Sequence, residues 1–97
     1  MRFAFHREAL AEYAAAAHHY AEIDPLLGSR FMDAIECAID LAIESPLRWP
    51  ELGDGIHRCL AHLFPYAILY SIEPGYVLIV AVMHCGREPE YWKDRIV

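Results

Sequence analysis

The sequence predicts an α+β domain in which a helical hairpin packs on one face of a mainly antiparallel sheet. The predicted element order is β-α-α-β-β-β, followed by a short C-terminal tail or helix. Three observations support it: a change from strand to helix spacing at Arg7, proline signals around a second helix, and an apolar run from Val77 to Met83. A chain of 97 residues is long enough for one modest core, so we place a single domain at residues 1–97.

The first helix follows a short opening strand. Residues 2–5 have strand character, and from Arg7 onward apolar residues recur at helical spacing. These apolar positions are Leu10, Tyr13, Ala17 and Tyr20. We therefore expect this stripe to form the buried face of the first helix.

The second helix has sequence signals at both ends. Asp24 supplies a side-chain acceptor for the N-cap, and Pro25 occupies the first helical position. Ser45 precedes Pro46, and a residue before proline avoids the helical region, so the helix should end there. Because the link to the first helix is so short, the two helices should pack as an antiparallel hairpin.

Within the second helix, apolar and acidic residues occupy different faces. Gly28 weakens the first turn, so we expect regular helix only from about Ser29. The apolar stripe consists of Phe31, Ile35, Ala38, Ile39 and Ala42. The acidic stripe, expected to be a solvated face, consists of Asp33, Glu36, Asp40 and Glu44.

Three strands are predicted after a loop that Trp49 anchors. They span residues 56–63, 66–73 and 76–84. Pro74 and Gly75 lie at the centre of a tight turn between the last two strands, which favours a hairpin. The last strand is apolar on both faces, as expected of a central strand.

Strand alternation assigns side chains to the two faces of the sheet. On the first of these strands, Cys59 and its alternate neighbours are predicted to face the helices, which leaves Arg58 and His62 on the uncovered face. On the next strand, we expect Tyr66 and Tyr70 on the uncovered face as well. A surface of aromatic, aliphatic and a few basic groups suits a protein partner.

The charge distribution disfavours strong direct binding to nucleic acid. The formal net charge is −6, and residues 1–55 account for all of it, with four arginines against ten acidic residues. Residues 56–97 are balanced, and the chain has only one lysine. Nucleic-acid binding relies on clustered basic residues that displace counterions, and no such cluster is present in the sequence.

Cysteine and hydropathy patterns exclude several other classes. Cys37, Cys59 and Cys85 are odd in number and widely spaced, which argues against a disulfide scaffold or zinc site and fits a reducing cytoplasm. No apolar run approaches the length of a membrane span, and the N-terminus lacks the apolar core of a signal peptide. We predict no cofactor and no metal, because the histidines lack ligand spacing.

The segment after the apolar run concentrates charged and aromatic residues: His84, Arg87, Tyr91, Trp92, Lys93 and Arg95. It has two interpretations. In one, these side chains contact a target or take part in catalysis. In the other they are structural, with His84 bonded to backbone, Arg87 paired with Glu88 or Glu90, and Trp92 packed under the sheet edge.

Six segments, taken in order, cover nearly the whole chain: HREALAEYAAAAHHY, DPLLGSRFMDAIECAI, IHRCL, FPYAILYSIE, LIVAVMH and REPEYWKDR. In this order they resemble the RelE/ParE superfamily of bacterial toxins from type II toxin–antitoxin systems, also known as the plasmid stabilisation family. The resemblance implies a compact toxin and a cognate antitoxin that wraps the sheet face. It also implies a target that is either DNA gyrase or the translating ribosome with its mRNA.

The two branches of this family place different demands on the sequence. A RelE-like endonuclease uses basic groups on the sheet and a C-terminal tyrosine, to which Arg58 and Tyr91 correspond. Leu60, His62 and Ala67 stand where that pattern prefers Lys or Arg. ParE-like inhibition of gyrase through protein contacts needs less positive charge and is the first expectation. The alternatives are a RelE-like ribosome-dependent mRNA endonuclease and an inactive member that only binds its antitoxin.

Two sets of candidate residues follow from these alternatives. If the chain is a nuclease, the catalytic candidates are Arg58, His62, His84, Arg87 and Tyr91. The candidates for contact with the target or antitoxin are Arg58, Tyr66, Tyr70, Arg87, Tyr91, Trp92 and Arg95.

Overall fold

A computed structural model describes residues 2–96 and has the predicted α+β order with one additional short strand. The elements are β1 (Arg2–Phe5), α1 (Arg7–Ile23), α2 (Pro25–Glu44), β2 (Glu51–Gly53), β3 (Ile56–Leu60), β4 (Tyr66–Glu73), β5 (Tyr76–His84) and a terminal 3₁₀ helix (Lys93–Ile96). The additional strand is β2, inside the predicted loop. Its three residues are all exposed, so no alternation marks it in the sequence.

The five strands form one sheet in the order β1-β5-β4-β3-β2. β1 pairs with β5 in parallel, and the other three pairs are antiparallel. The prediction that the apolar strand is central is confirmed, because β5 lies between β1 and β4. The antiparallel neighbours place the end of β5 and the start of β4 at the same end of the sheet, where Tyr66 lies opposite His84.

The helical hairpin is as predicted, but its second helix begins earlier. Asp24 caps α2 by accepting a hydrogen bond from the Leu26 N–H at 2.9 Å, and the helix is regular from Pro25. The expectation of a regular helix only from Ser29 is therefore wrong. Gly28 is buried against Ala21 of α1, so its missing side chain allows the two helices to approach closely. Within residues 2–96, no helix is long and apolar enough to cross a membrane.

The main core lies between the hairpin and the sheet. The predicted α2 stripe is confirmed, since all five of its apolar residues are at most 2% exposed. The α1 stripe is only partly right, because Leu10 is 50% exposed whereas Ala9 and Ala16 are buried. Alanines on this face let α1 lie close to the sheet, and a leucine would hold it further away.

A second, smaller core lies on the opposite face of the sheet. Trp92 from the C-terminal tail is 3% exposed and packs there with Leu69 of β4 and with Val80 and Ala81 of β5. The tail therefore crosses the face that the helices leave uncovered. Of the two interpretations of the tail, Trp92 follows the structural one, although it packs beneath the central strands β4 and β5 and not under the sheet edge.

Two face assignments on the sheet need correction. Tyr66 and Tyr70 lie on the helix side, because the β3–β4 register places Tyr70 opposite His57 and residues opposite each other share a face. The Tyr70 hydroxyl donates to the Pro46 carbonyl at 2.7 Å. His62 is not on the uncovered face either, since β3 ends at Leu60.

Candidate functional site

The candidate residues of the tail line two grooves that meet at Arg87. The tail groove, of about 280 Å³, lies between α1, the end of β5 and the tail. Its walls include Glu12, His19, Tyr66, His84, Arg87 and Tyr91. The sheet-face groove, of about 330 Å³, lies on the side away from the helices. Its walls include Leu52, Arg58, Met83, Cys85, Arg87 and Trp92.

The tail is anchored where β5 loses its neighbouring strand. β1 pairs with β5 only as far as Ile79, so the next residues of β5 have an open edge on that side. The Val82 N–H donates to Glu12 Oε1 at 3.0 Å, and Arg95 Nη1 donates to the Val80 carbonyl at 3.0 Å. Two side chains thus satisfy backbone groups that a longer β1 would otherwise pair.

Glu12 joins this edge to the tail. Arg95 donates to both of its carboxylate oxygens, from Nη1 at 2.8 Å and Nη2 at 3.0 Å. The Tyr91 hydroxyl donates to Glu12 Oε2 at 2.7 Å. The pair is well shielded, with side-chain exposures of 9% for Arg95 and 19% for Glu12. A bidentate pair in this setting fixes the tail relative to α1.

The environment shifts the pKa values of these groups so that the ion pair is retained. Burial alone would raise the pKa of Glu12, but its hydrogen bonds from Arg95, Tyr91 and the Val82 N–H lower it overall. Burial, followed by the bond to Glu12, raises the pKa of Tyr91. The Tyr91 hydroxyl is therefore protonated at neutral pH, and its proton is already donated to Glu12.

Arg87 is held at the border of the two grooves by the ring of Tyr91. Its guanidinium carbon lies 4.1 Å from the ring centroid, and that of Arg95 lies 5.0 Å from the same centroid. Glu90, one of the expected partners of Arg87, pairs instead with Lys93 at 3.1 Å. Arg87 is thus positioned by a cation–π contact and exposed to solvent.

His84 is bonded to backbone, as the structural interpretation of the tail predicted. Its Nδ1 accepts a hydrogen bond from the Gly86 N–H at 2.9 Å, and its ring packs edge-on against Tyr66 at 5.2 Å. In the neutral ring this bond places the proton on Nε2. His84 in this form presents a donor, and not the free base that an endonuclease needs.

The remaining candidates are dispersed. His62 lies in the loop after β3, in a separate hollow against α2 with Leu27 and Cys37. Tyr70 is fully buried, and Trp92 and Arg95 are packed inside the protein. Arg58 lies in the sheet-face groove on the uncovered face, as predicted.

Two polar residues of the tail groove were not among the candidates. Glu12 and His19 reach the tail groove from α1, and Glu12 makes its key bonds with residues 70 to 83 positions away. A lone glutamate on a polar helix face gives no sign of such distant partners. Across residues 2–96, no three His, Cys, Asp or Glu side chains come together in a way that could hold a metal ion.

Comparison with known proteins identifies the family. The family model described as "ParE toxin of type II toxin-antitoxin system, parDE" matches residues 3–89. Among solved structures, the chain is similar to one described as "Chromosomal ParDE TA system from P. aeruginosa", with a TM-score of 0.75 and 15% identity over 87% of this chain and 95% of that one. At this identity the likeness shows a common fold. No curated protein sequence matches the chain. Because the family model covers most of the sequence, the chain belongs to the ParE toxin family and is the toxin component of a type II toxin–antitoxin system.

Proposed function

We propose that this toxin inhibits DNA gyrase through protein contacts centred on Arg87. The observation that carries the proposal is the position of Arg87, which is exposed, borders both grooves and is oriented by the Tyr91 ring at 4.1 Å. An arginine held in one orientation loses little conformational entropy on binding, and arginine is enriched among the residues that dominate interface energies.

The sheet-face groove supports a protein target in preference to RNA. Arg58 and Arg87 lie there among the apolar side chains of Leu52 and Met83 and the buried Trp92. Apolar and aromatic side chains interspersed with arginine are typical of protein–protein interfaces. The backbone of RNA would call for several basic groups along its path.

The RelE-like alternative is less well supported by the arrangement of its candidate residues. Cleavage needs a base near the 2′-hydroxyl and positive charge near the scissile phosphate. The Tyr91 hydroxyl already donates its hydrogen bond to Glu12, and Nδ1 of His84 already accepts one from the Gly86 N–H. Neither group is therefore free to act as the base. His62 lies outside both grooves, and Arg58 and Tyr91 line different ones.

The proposed compartment is the bacterial cytoplasm, where gyrase acts. All three cysteines are free thiols, and Cys37 and Cys85 are exposed. Exposed free thiols fit a reducing compartment.

The test is inhibition of gyrase supercoiling by the purified chain. We expect inhibition at micromolar protein, and Arg87→Ala should weaken it about tenfold, the effect of losing an interface anchor of about 1.4 kcal/mol. Arg30→Ala, which removes an exposed arginine of α2 outside both grooves, is the matched control and should inhibit like the wild type. Circular dichroism checks that both variants are folded.

Two other results would favour one of the alternative functions over inhibition of gyrase. Growth arrest with normal supercoiling but cleaved mRNA in primer extension would assign the chain to the endonuclease branch. If expression caused no arrest while the antitoxin still bound, the chain would be an inactive antitoxin-binding member. In either case, gyrase activity unchanged by a micromolar excess of the chain rules out the gyrase proposal.

A further inference from the structure

We propose that Leu63, at the tip of the loop between β3 and β4, is a second anchor for gyrase beside Arg87 and inserts into an apolar pocket bordered by carboxylates. We call residues 61–65 the tip loop. The inference rests on the proposed function and deepens it, because it names a contact residue outside both grooves and the chemistry of the surface that receives it.

Leu63 combines two unfavourable features at one position. Its side chain is 85% exposed, and its backbone lies in the left-handed region with a φ of 68°. Among residues 2–96, the other non-glycine residues with positive φ are Asp54 and Glu90, and both are polar. The left-handed region is costly for a leucine because its Cβ comes close to the following carbonyl oxygen, whereas asparagine and glycine adopt this region more readily. The stability of the fold thus explains neither the exposure nor the backbone conformation of Leu63.

The residues around Leu63 are fixed, so its side chain is held in one place. Phe64 packs its ring edge-on against Tyr20 in the main core, at a centroid distance of 5.0 Å. The Ala61 N–H donates to the Tyr66 carbonyl at 2.9 Å, which continues the β3–β4 ladder to the start of the tip loop. Contacts on both sides of Leu63 thus impose a conformation that a leucine disfavours. A side chain presented in a fixed place loses little freedom when it enters a pocket.

The tip loop is continuous with the tail that carries Arg87. The Cys85 N–H donates to the Pro65 carbonyl at 2.8 Å, and the Arg87 N–H donates to the His84 carbonyl at 3.0 Å. The tip loop and the first turn of the tail therefore lie together at the end of the sheet where β4 begins and β5 ends. A protein bound at Arg87 lies next to the tip loop.

An apolar row connects the tip loop to the sheet-face groove. Leu60, the last residue of β3, is 58% exposed and lies opposite Ala67, which in turn lies opposite Met83. Residues directly opposite each other share a face, so this row lies on the face of the sheet-face groove, of which Met83 is a wall. The apolar surface thus extends from that groove to the end of β3, where the tip loop begins.

The charges beside this surface indicate the chemistry of the partner. Arg58 and Arg87 both line the sheet-face groove, and within residues 2–96 neither has an acidic partner within 4 Å. A complementary partner therefore presents carboxylates around the pocket that receives Leu63. A second copy of the chain fits less well, because a symmetric contact would bring the same arginines together. Binding to gyrase should accordingly weaken as salt is raised, and binding independent of salt would contradict the acidic border.

The test compares inhibition of gyrase supercoiling by the full chain and by its Leu63 variants. Leu63→Asn should raise the concentration needed for half inhibition about tenfold, because the apolar area of a leucine is no longer buried in the complex. The same variant should raise the midpoint of thermal unfolding by about 4 °C, because asparagine tolerates the left-handed region. Weaker inhibition by a more stable protein cannot be attributed to unfolding. Leu63→Met keeps an apolar side chain of similar size and should inhibit like the wild type.

Leu47→Asn is the matched control. Leu47 is 81% exposed but follows the C-terminal end of α2, whereas Leu63 shares a hollow with Leu27 in the first turn of that helix. The length of α2 therefore separates the two leucines by roughly 25 Å, and Leu47→Asn should inhibit like the wild type. Arg30 lines the hollow between the tip loop and α2 and is not part of the proposed contact, so Arg30→Ala should also leave inhibition unchanged.

Each contrary outcome is distinguishable. If the wild type inhibits gyrase and Leu63→Asn inhibits equally well, the role of Leu63 is wrong while the proposed function stands. A wild type that leaves gyrase unaffected would overturn both. A lower unfolding midpoint for Leu63→Asn would show that Leu63 contributes to folding and would remove the reason for assigning it to a partner. Unchanged inhibition with weaker antitoxin binding, or with loss of a dimer of the chain alone in sedimentation, would assign Leu63 to that other partner and reject the proposal.

Discussion

Glu12 connects three parts of the molecule that are far apart in sequence. It accepts four hydrogen bonds, from the Val82 N–H, the Tyr91 hydroxyl and both terminal nitrogens of Arg95. Tyr91 in turn positions Arg87. The orientation of the proposed contact residue therefore depends on a carboxylate in the middle of α1.

The first prediction concerns the stability contributed by this carboxylate. Glu12→Gln should lower the free energy of unfolding by about 2 kcal/mol, since it removes an ionic acceptor and leaves Arg95 with weaker partners in a shielded site. Urea unfolding at pH 7 measures it. Glu8→Gln is the matched control, because Glu8 lies 3.7 Å from Arg95 but is 56% exposed, and it should cost less than about 0.5 kcal/mol. Equal losses in the two variants would contradict the role of Glu12.

The difference in free energy of unfolding between the wild type and Glu12→Gln should depend on pH in a definite direction. The pKa of Glu12 is lowered from its ordinary value of 4.5 in the folded protein, so the unfolded chain binds this proton more readily. The stabilisation is complete above that ordinary value and is lost as the pH falls through the lower, folded value. The gap between wild type and Glu12→Gln should therefore be full at pH 7 and should narrow in acid below pH 4.5.

At the scale of elements, the helical hairpin depends on one glycine whose sequence signal is misleading. Helix propensity alone predicts that Gly28→Ala stabilises α2 by about 1 kcal/mol. A methyl group at Gly28, however, would lie 2.7 Å from the Ala21 Cβ and 2.9 Å from its Cα, so α1 would have to move. We expect a net loss of about 1–3 kcal/mol, measured by thermal or urea unfolding.

The adjacent residue provides the control for this prediction. Ser29 is exposed on the same turn, so Ser29→Ala should be neutral or stabilise by a few tenths of a kcal/mol, about the difference in propensity. Opposite signs for the two substitutions would show that interhelical packing decides the effect. A stabilising Gly28→Ala would mean that the hairpin yields at this crossing without cost.

The elements also show which features a single sequence can predict. α1, α2 and β5 were predictable because capping residues, helical spacing and an apolar run are local signals. The faces of β4 were not, because Ile68 and Tyr70 alternate with the equally buried Ala67 and Leu69. Only the register with β3 decides between its two faces, and register is set by pairing across the sheet.

At the scale of the whole molecule, the candidate site also combines features that local sequence signals predict with features that only the tertiary fold determines. The clustering of His84, Arg87 and Tyr91 was predictable, since His84 ends β5 and the other two follow it within seven residues. The contacts that hold these residues in place were not predictable, because they depend on Glu12, which lies on a helix that only the tertiary fold brings to β5. The distinction between exposed Arg87 and shielded Arg95 likewise depends on that helix.

The two cores share the central strands, and this arrangement predicts how the molecule unfolds. β4 and β5 each supply side chains to both cores, Ile68 and Ile79 on the helix side and Leu69 and Val80 beneath the tail. Neither core can come apart without exposing the strands that build the other. We therefore expect a single cooperative transition, as small domains usually show.

The two tryptophans provide independent probes for this prediction. Trp49 packs against the main core and donates to the Leu41 carbonyl at 3.2 Å, whereas Trp92 is buried in the second core. In the Trp92→Phe variant fluorescence reports on the main core, and in Trp49→Phe it reports on the tail. Within each variant, the fluorescence midpoint in urea should coincide with that of far-UV circular dichroism. A Trp92 signal that changes at lower urea would instead mean that the tail detaches first. Inhibition of gyrase should then be lost at that same lower urea concentration, because the detached tail carries Arg87 away from both grooves.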